Sequence, residues 1–177
     1  MSDETDQLVD AVMTASRAML AVVARSLAAV DDDVTLPQYR ALVVLAQHGS
    51  RRPADLAVAL SVGPSTATRM CDRLVARGLA ERTRDGGDRR EVVVALSPQG
   101  RELVLQVTRL RRAELRRLLE MLPAADRVAV RDGLRTFAGA AGEVPETDWA
   151  VAPLPETASE PDPEPETASD TEPGTAP

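Results

Sequence analysis

Two arginines, Arg89 and Arg90, follow the loop Asp85-Gly86-Gly87-Asp88 and precede the β-branched run Val92-Val93-Val94. A guanidinium on such a tip offers a rigid fork of donors and no acceptor, which suits a phosphate or the edge of a base. Asp88 stands two residues before Arg90, where its carboxylate can hold the guanidinium in place through charge-assisted hydrogen bonds. A second group lies upstream in PSTATRMCDRL, residues 64–74. At about 100° per residue, Ala67, Met70, Cys71 and Leu74 fall on one helix face. Ser65, Arg69, Asp72 and Ala76 fall opposite, with Thr68 and Arg73 on the flanks. The outward face therefore opens with Ser65, Thr66, Thr68 and Arg69 beside a helix N-terminus. Hydroxyls, cations and free N–H groups collect there, all of them donors to a polyanion. The plain alternatives are a solvated helix face and a surface ion pair worth little. DNA contact is favoured because the arginine-tipped loop follows the helix so closely.

Charge placement agrees. The formal net charge is −7, but ten of the 28 acidic residues and none of the 21 basic ones lie from Glu143 onward. Residues 1–142 therefore carry a net +3, and between Arg51 and Arg101 ten arginines stand against six acids. A mildly basic body with an acidic tail is compatible with a polyanionic partner. There is no lysine, a pattern too broad for one site to explain, so it reads as compositional bias. Cys71 is the only cysteine and His48 the only histidine. No intrachain disulfide can form, and no closed structural zinc site is expected. No phosphate-binding glycine loop or nucleophile constellation is present, so no catalysis and no cofactor are expected. The start, MSDETDQL, lacks the basic-then-apolar order of a signal peptide, and no apolar run approaches the ~18 residues of a membrane span. A soluble cytoplasmic protein without membrane partners is expected.

These groups need a frame. Eight of the thirteen prolines lie between Pro145 and Pro177, and PETAS occurs twice there. Such sequence buries too little apolar surface to offset chain entropy, so 143–177 reads as a disordered tail in which Trp149 and Leu154 alone invite docking. The other prolines, Pro37, Pro53, Pro64, Pro98 and Pro123, sit where helices can begin. Leu8, Val12, Ala15, Met19, Val23 and Leu27 form the stripe of a long first helix. Strands are expected over 79–84 and 91–96, and a long arginine-rich helix from Pro98 to Met121. The order is ααααββαα. Residues 53–78 hold a short helix, the turn Ser61-Val62-Gly63 and a second helix, a helix-turn-helix whose shared core is expected from Leu56, Leu60 and Val62. Small Ala57 lets the helices approach. The hairpin behind it is a wing, whose arginine can enter a narrow, negative minor groove.

At this point ARGLAERTRDGGDRREVVVALSPQGREL, residues 76–103, resembles the MarR family of winged helix-turn-helix transcriptional regulators. It shares the R-G-L-[VA]-x-R helix end, the D-x-R wing and the L-[ST]-x-x-G opening of the next helix, while residues 64–74 resemble the recognition helix. Gly86-Gly87 departs from the proline and charge frequent in that loop. The resemblance implies a mainly α fold: a winged helix-turn-helix over about 35–97 and dimerisation helices over about 6–30 and 98–142, all within a domain 1–142. It further implies a homodimer reading a palindromic operator in double-stranded DNA, most simply as a repressor, and released by a small anionic or aromatic effector. By position Arg90 would enter the minor groove, with Asp88 orienting it. Ser65, Thr66, Thr68, Arg69 and Arg73 would line the major groove.

The rival reading is a winged-helix protein-interaction module without DNA readout; Arg69, Arg73, Arg77 and Arg90 speak against it. Arg109, Arg111, Arg112, Arg116 and Arg117 read as a solvated and interface helix face partly paired with Glu114 and Glu120. Cys71 lies on the core face and reads as inert rather than as a redox sensor. The acidic tail invites one sharper idea, that it folds back on the basic wing domain and competes with DNA.

Overall fold

The computed structural model of the chain describes residues 2–84 and 92–150. The order is α1 (Ser2–Ala28), α2 (Leu36–His48), α3 (Pro53–Ala59), α4 (Pro64–Ala76), β1 (Ala80–Arg84), β2 (Val92–Leu96), α5 (Pro98–Glu120) and α6 (Ala124–Ala140), followed by a 3-10 turn over Glu146–Asp148. This is the expected ααααββαα. The expected tail beyond Ala150, including Leu154, lies outside the described residues.

Local chemistry sets the boundaries. Thr35 caps α2 in a capping box: its backbone N–H donates to Gln38 Oε1 at 2.9 Å and its hydroxyl accepts from Gln38 N at 3.4 Å. Gly49 ends that helix at φ +73°, with its N–H donating to Leu45 O. Ser97 caps α5, accepting from Gly100 N at 2.9 Å while its hydroxyl donates to Gly78 O at 2.5 Å. In the helix-turn-helix, the left-handed conformation falls on Ser61 (φ +53°), whereas Gly63 is extended at φ −66°.

The core gathers around α2, whose Leu42 and Leu45 are fully buried together with Leu56, Leu74, Leu79, Val94 and Val107. Burying each such side chain is worth about 1.5–3 kcal/mol. Of the expected helix-turn-helix core, Leu56 is buried and Leu60 and Val62 are half-buried; Ala57 is buried, as close approach of α3 and α4 requires. The hairpin pairs Ala80 with Leu96 through Arg84 with Val92, antiparallel. It is not alone: Arg51 N donates to Val94 O at 2.9 Å and Val94 N to Arg51 O at 2.8 Å, a third rung between α2 and α3. That rung, and the packing of α2 and α4 on the strands, support a hairpin that would be marginal by itself.

The first-helix stripe is only half used within one chain. Val22, Ser26 and Leu27 of α1 are buried, but Leu8, Met13, Met19 and Leu20 are exposed. α6 has no buried residue, and Val128, Leu134 and Phe137 stand in the open, as do Leu118 and Leu119 of α5. Contrary to the sequence expectation, α1 is long and apolar enough to cross a membrane, by length and composition alone, with a mean hydropathy of 1.3 in its best stretch. Valine and leucine supply most of that average, and α1 packs along α5.

Candidate nucleic-acid interface

α4 has two faces. Ala67, Cys71 and Leu74 are buried, Met70 is half-buried, and Ser65, Thr66, Thr68, Arg69, Asp72 and Arg73 are exposed, as the spacing predicts. The helix starts from Gly63 with no side-chain cap. Thr66 N and Ala67 N donate to Gly63 O, and Thr68 Oγ1 turns back to Pro64 O at 3.0 Å. The end of the helix that carries Ser65 and Thr66 therefore keeps its positive dipole end uncapped by any side chain. Arg69 and Arg73 make no ion pair among the described residues.

Two pairs fix this helix in place, and sequence reasoning missed both. Asp72 binds Arg82 of β1, so its carboxylate is neutralised and recognition helix and wing are tied together. Arg77 does not face outward with Arg69 and Arg73: its Nη2 donates to both carboxylate oxygens of Asp31, at 2.9 and 2.8 Å, in the turn before α2. Arg77 thus withdraws as an argument against the protein-interaction rival and becomes a support for the helix end. Both pairs join residues far apart in sequence or on different elements, and no local spacing announces them.

Burial pushes the Asp31 carboxyl up, but the Arg77 guanidinium and the backbone N–H groups of Asp33 and Val34 outweigh it and hold the group below its ordinary 3.8. A depressed folded-state value stabilises above the unfolded one and is lost as pH falls through the folded one. Asp31→Asn is therefore expected to cost about 1 kcal/mol near neutral pH, reduced by partial exposure. Urea melts of the two proteins should converge as pH falls below the ordinary carboxylate range; a gap that stays unchanged from pH 7 down through that range would remove the pair from the account.

Cys71 is 2% exposed, and burial raises its thiol above the ordinary range, outweighing the pull of Arg82. It should not react with a disulfide reagent while the protein is folded and should release one equivalent on unfolding. Fast reaction of native protein would reopen the redox reading.

Asp88 and Arg90 lie outside the described residues, while the strands that carry their loop are in register. On α5, the arginines find partners other than those expected. Glu114 binds Arg25 of α1, Arg109 binds Glu102, and Arg112 binds Glu146 of the segment after α6. Among the described residues no group of His, Cys, Asp and Glu could hold a metal ion.

Comparison with known proteins accords with this geometry. Residues 32–91 match the model of the MarR family. The chain is 31% identical over 108 residues to YfiV of Bacillus subtilis, an uncharacterized HTH-type transcriptional regulator, covering 61% of this chain and 68% of that protein. The chain belongs to the MarR family. Among solved structures, RV1404 of Mycobacterium tuberculosis superposes with a TM-score of 0.71 at 43% identity, over 78% of this chain and 94% of that one. BpsR of Bordetella bronchiseptica, whose DNA binding is regulated by 6-hydroxynicotinic acid, superposes at 0.56 with 27% identity, over 75% and 98%. As a MarR-family member the chain is a DNA-binding transcriptional regulator with a winged helix-turn-helix.

Proposed function

We propose that two copies of this chain form a homodimer that binds a palindromic operator in the cytoplasm and represses transcription until a small effector releases it. The observation that carries the reading is α4 itself, buried on one face and presenting Arg69 and Arg73, free of ion pairs among the described residues, on the other. Residues 35–97 would read DNA, with Ser65, Thr66, Thr68, Arg69 and Arg73 in the major groove and Arg90, oriented by Asp88, in the minor groove. Residues 6–30 and 98–142 would hold the dimer, and the exposed apolar residues of α1, α5 and α6 supply its interface. Two recognition helices would then sit about 34–36 Å apart on one side of the duplex. The regulator has no catalytic role in this reading.

For the effector, the seam between α2 and α5 supports a small anionic or aromatic molecule. Tyr39 Oη, Thr108 Oγ1 and Arg111 Nε are buried there without a hydrogen-bond partner. Burial raises the Tyr39 hydroxyl, so it stays a donor, with Arg111 and Thr108 nearby and opposing the shift. Arg111 Nε brings a donor and the two hydroxyls can each donate or accept, which suits a small polar ligand, and Ala46, Val104, Leu105 and Trp149 line the space beside Thr108. Such a ligand shifts the equilibrium only by its differential affinity for the two head spacings.

The test is fluorescence anisotropy on duplexes from upstream of the chain's own gene, with a scrambled duplex as competitor, followed by selection from random sequence. Enrichment of a two-fold symmetric site supports the reading. Equal weak binding to every duplex, with no palindrome enriched, transfers the surface to the protein-interaction rival.

A further inference from the structure

The segment after α6 is docked. Glu143 accepts from Arg40 at 2.6 Å and from Gln47 Nε2 at 3.2 Å, and Glu146 accepts from Arg112 at 2.7 Å. Trp149 packs half-buried against the core, its indole N–H donating to Val144 O at 3.1 Å. Ala150 N donates to Gln47 O at 3.1 Å, and Ala150 lies against Gly49 as well. The chain is thus moored on the end of α2, two residues before Arg51 bridges to Val94 at the base of the wing.

What continues from this root is residues 151–177, with seven acids and no base. The reading head has the opposite sign: Arg69 and Arg73 of α4 are exposed and without ion pairs among the described residues, and ten arginines stand against six acids in the sequence between Arg51 and Arg101. The first two acids of the tail, Glu143 and Glu146, are each already held by an arginine of the body. A random coil of as many residues has a root-mean-square span of roughly 30 Å. A head of the size of residues 35–97 has a radius of gyration of about 11 Å. The span covers the head from any point on it, and tethering sets a local concentration in the millimolar range.

We propose that the tail is an intramolecular competitor of DNA: Glu143–Ala150 moors it to the reading head, and the acids of 151–177 occupy the arginine face of α4 whenever DNA does not. The proposal rests on the DNA-binding reading only for its consequence, since the contact itself is a property of the free protein. Competition weakens DNA binding most at low salt and flattens its salt dependence, because arginines already neutralised by carboxylates release fewer counterions.

The experiment compares the full chain, a chain ending at Ala150 that keeps the mooring, and full-length Trp149→Ala, on one duplex across a salt series. The chain ending at Ala150 is expected to bind about fivefold or more tightly at 50 mM salt, with a steeper slope that meets the full-length line at high salt. Trp149→Ala is expected in between; an affinity equal to that of the full chain would remove the mooring from the proposal. Equal affinity of full and shortened chains at low salt overturns it. A nitroxide attached through Ser159→Cys keeps the contact testable should no form bind DNA, a result that would instead sink the DNA-binding reading. The buried Cys71 leaves the introduced thiol as the labelled one. Broadening of the α4 amide signals around Arg69 and Arg73 in the free protein supports the contact, and an unbroadened α4 overturns it.

Discussion

Replacing Gly100 by alanine is expected to cost about 3 kcal/mol or more of stability, seen as a fall of roughly 10 °C in the melting temperature. A Cβ there would stand 1.9 Å from the backbone oxygen of Leu79 and 3.2 Å from Leu96 Cδ2. Neither neighbour is free to yield. Leu79 is buried and carries the chain from α4 into β1, and its oxygen also accepts from Ser97 N. Gly100 N is itself the donor that the Ser97 cap accepts from. Pushing α5 away would therefore break its cap and its seat on the hairpin together. Thermal and urea denaturation measure the loss, and a variant melting within about 1 °C of the parent would show that the α5 end shifts without resistance.

In the homodimer proposed here, Arg69→Ala is expected to weaken operator binding by about 30-fold to more than 10³-fold. One good base contact contributes about 1–3 kcal/mol, and a symmetric dimer loses it twice. The manner of loss assigns the role. A base contact relaxes the preference at one operator position, whereas a phosphate contact weakens all duplexes alike and lowers the salt slope by about one per contact. Arg73→Ala, on the flank, is expected to behave as a phosphate contact. Arg90→Ala should lose most on duplexes with A·T tracts beside the half-sites, where the minor groove is narrow. Asp88→Ala should give a smaller loss of the same kind, since the carboxylate only holds the guanidinium. Anisotropy on matched and altered duplexes reads all four. If Arg69→Ala and Arg90→Ala both leave the affinity unchanged, α4 and the wing are not the reading surface.

The exposed α6 is where burial within one chain and the family resemblance have to be joined. Val128, Leu134 and Phe137 form no core in a single chain. Exposed apolar residues on α6, and on α1 and α5 that pack on each other, mark an association surface, and a second copy is its partner in the homodimer proposed here.

Local patterns made the helix-turn-helix legible from sequence. The spacing of Ala67, Met70, Cys71 and Leu74 orients α4 by itself, because helical periodicity is a property of consecutive residues. The prolines, Thr35 with Gln38, and Gly49 mark helix ends through backbone chemistry that acts within a few residues. The D-x-R loop ahead of the β-branched run Val92-Val93-Val94 announces the wing in the same way. Tertiary structure alone decided what long-range geometry controls. Arg77 left the outward face because Asp31, 46 residues away in sequence, reaches it. Asp72 was neutralised by Arg82, Glu114 turned to Arg25, and Arg51 became a third strand rung only once α2 and the hairpin were adjacent. The half-exposed stripe of α1 and the docked Trp149 belong to the same class. Composition tells how apolar a segment is, but what covers it depends on which surfaces the fold brings within reach.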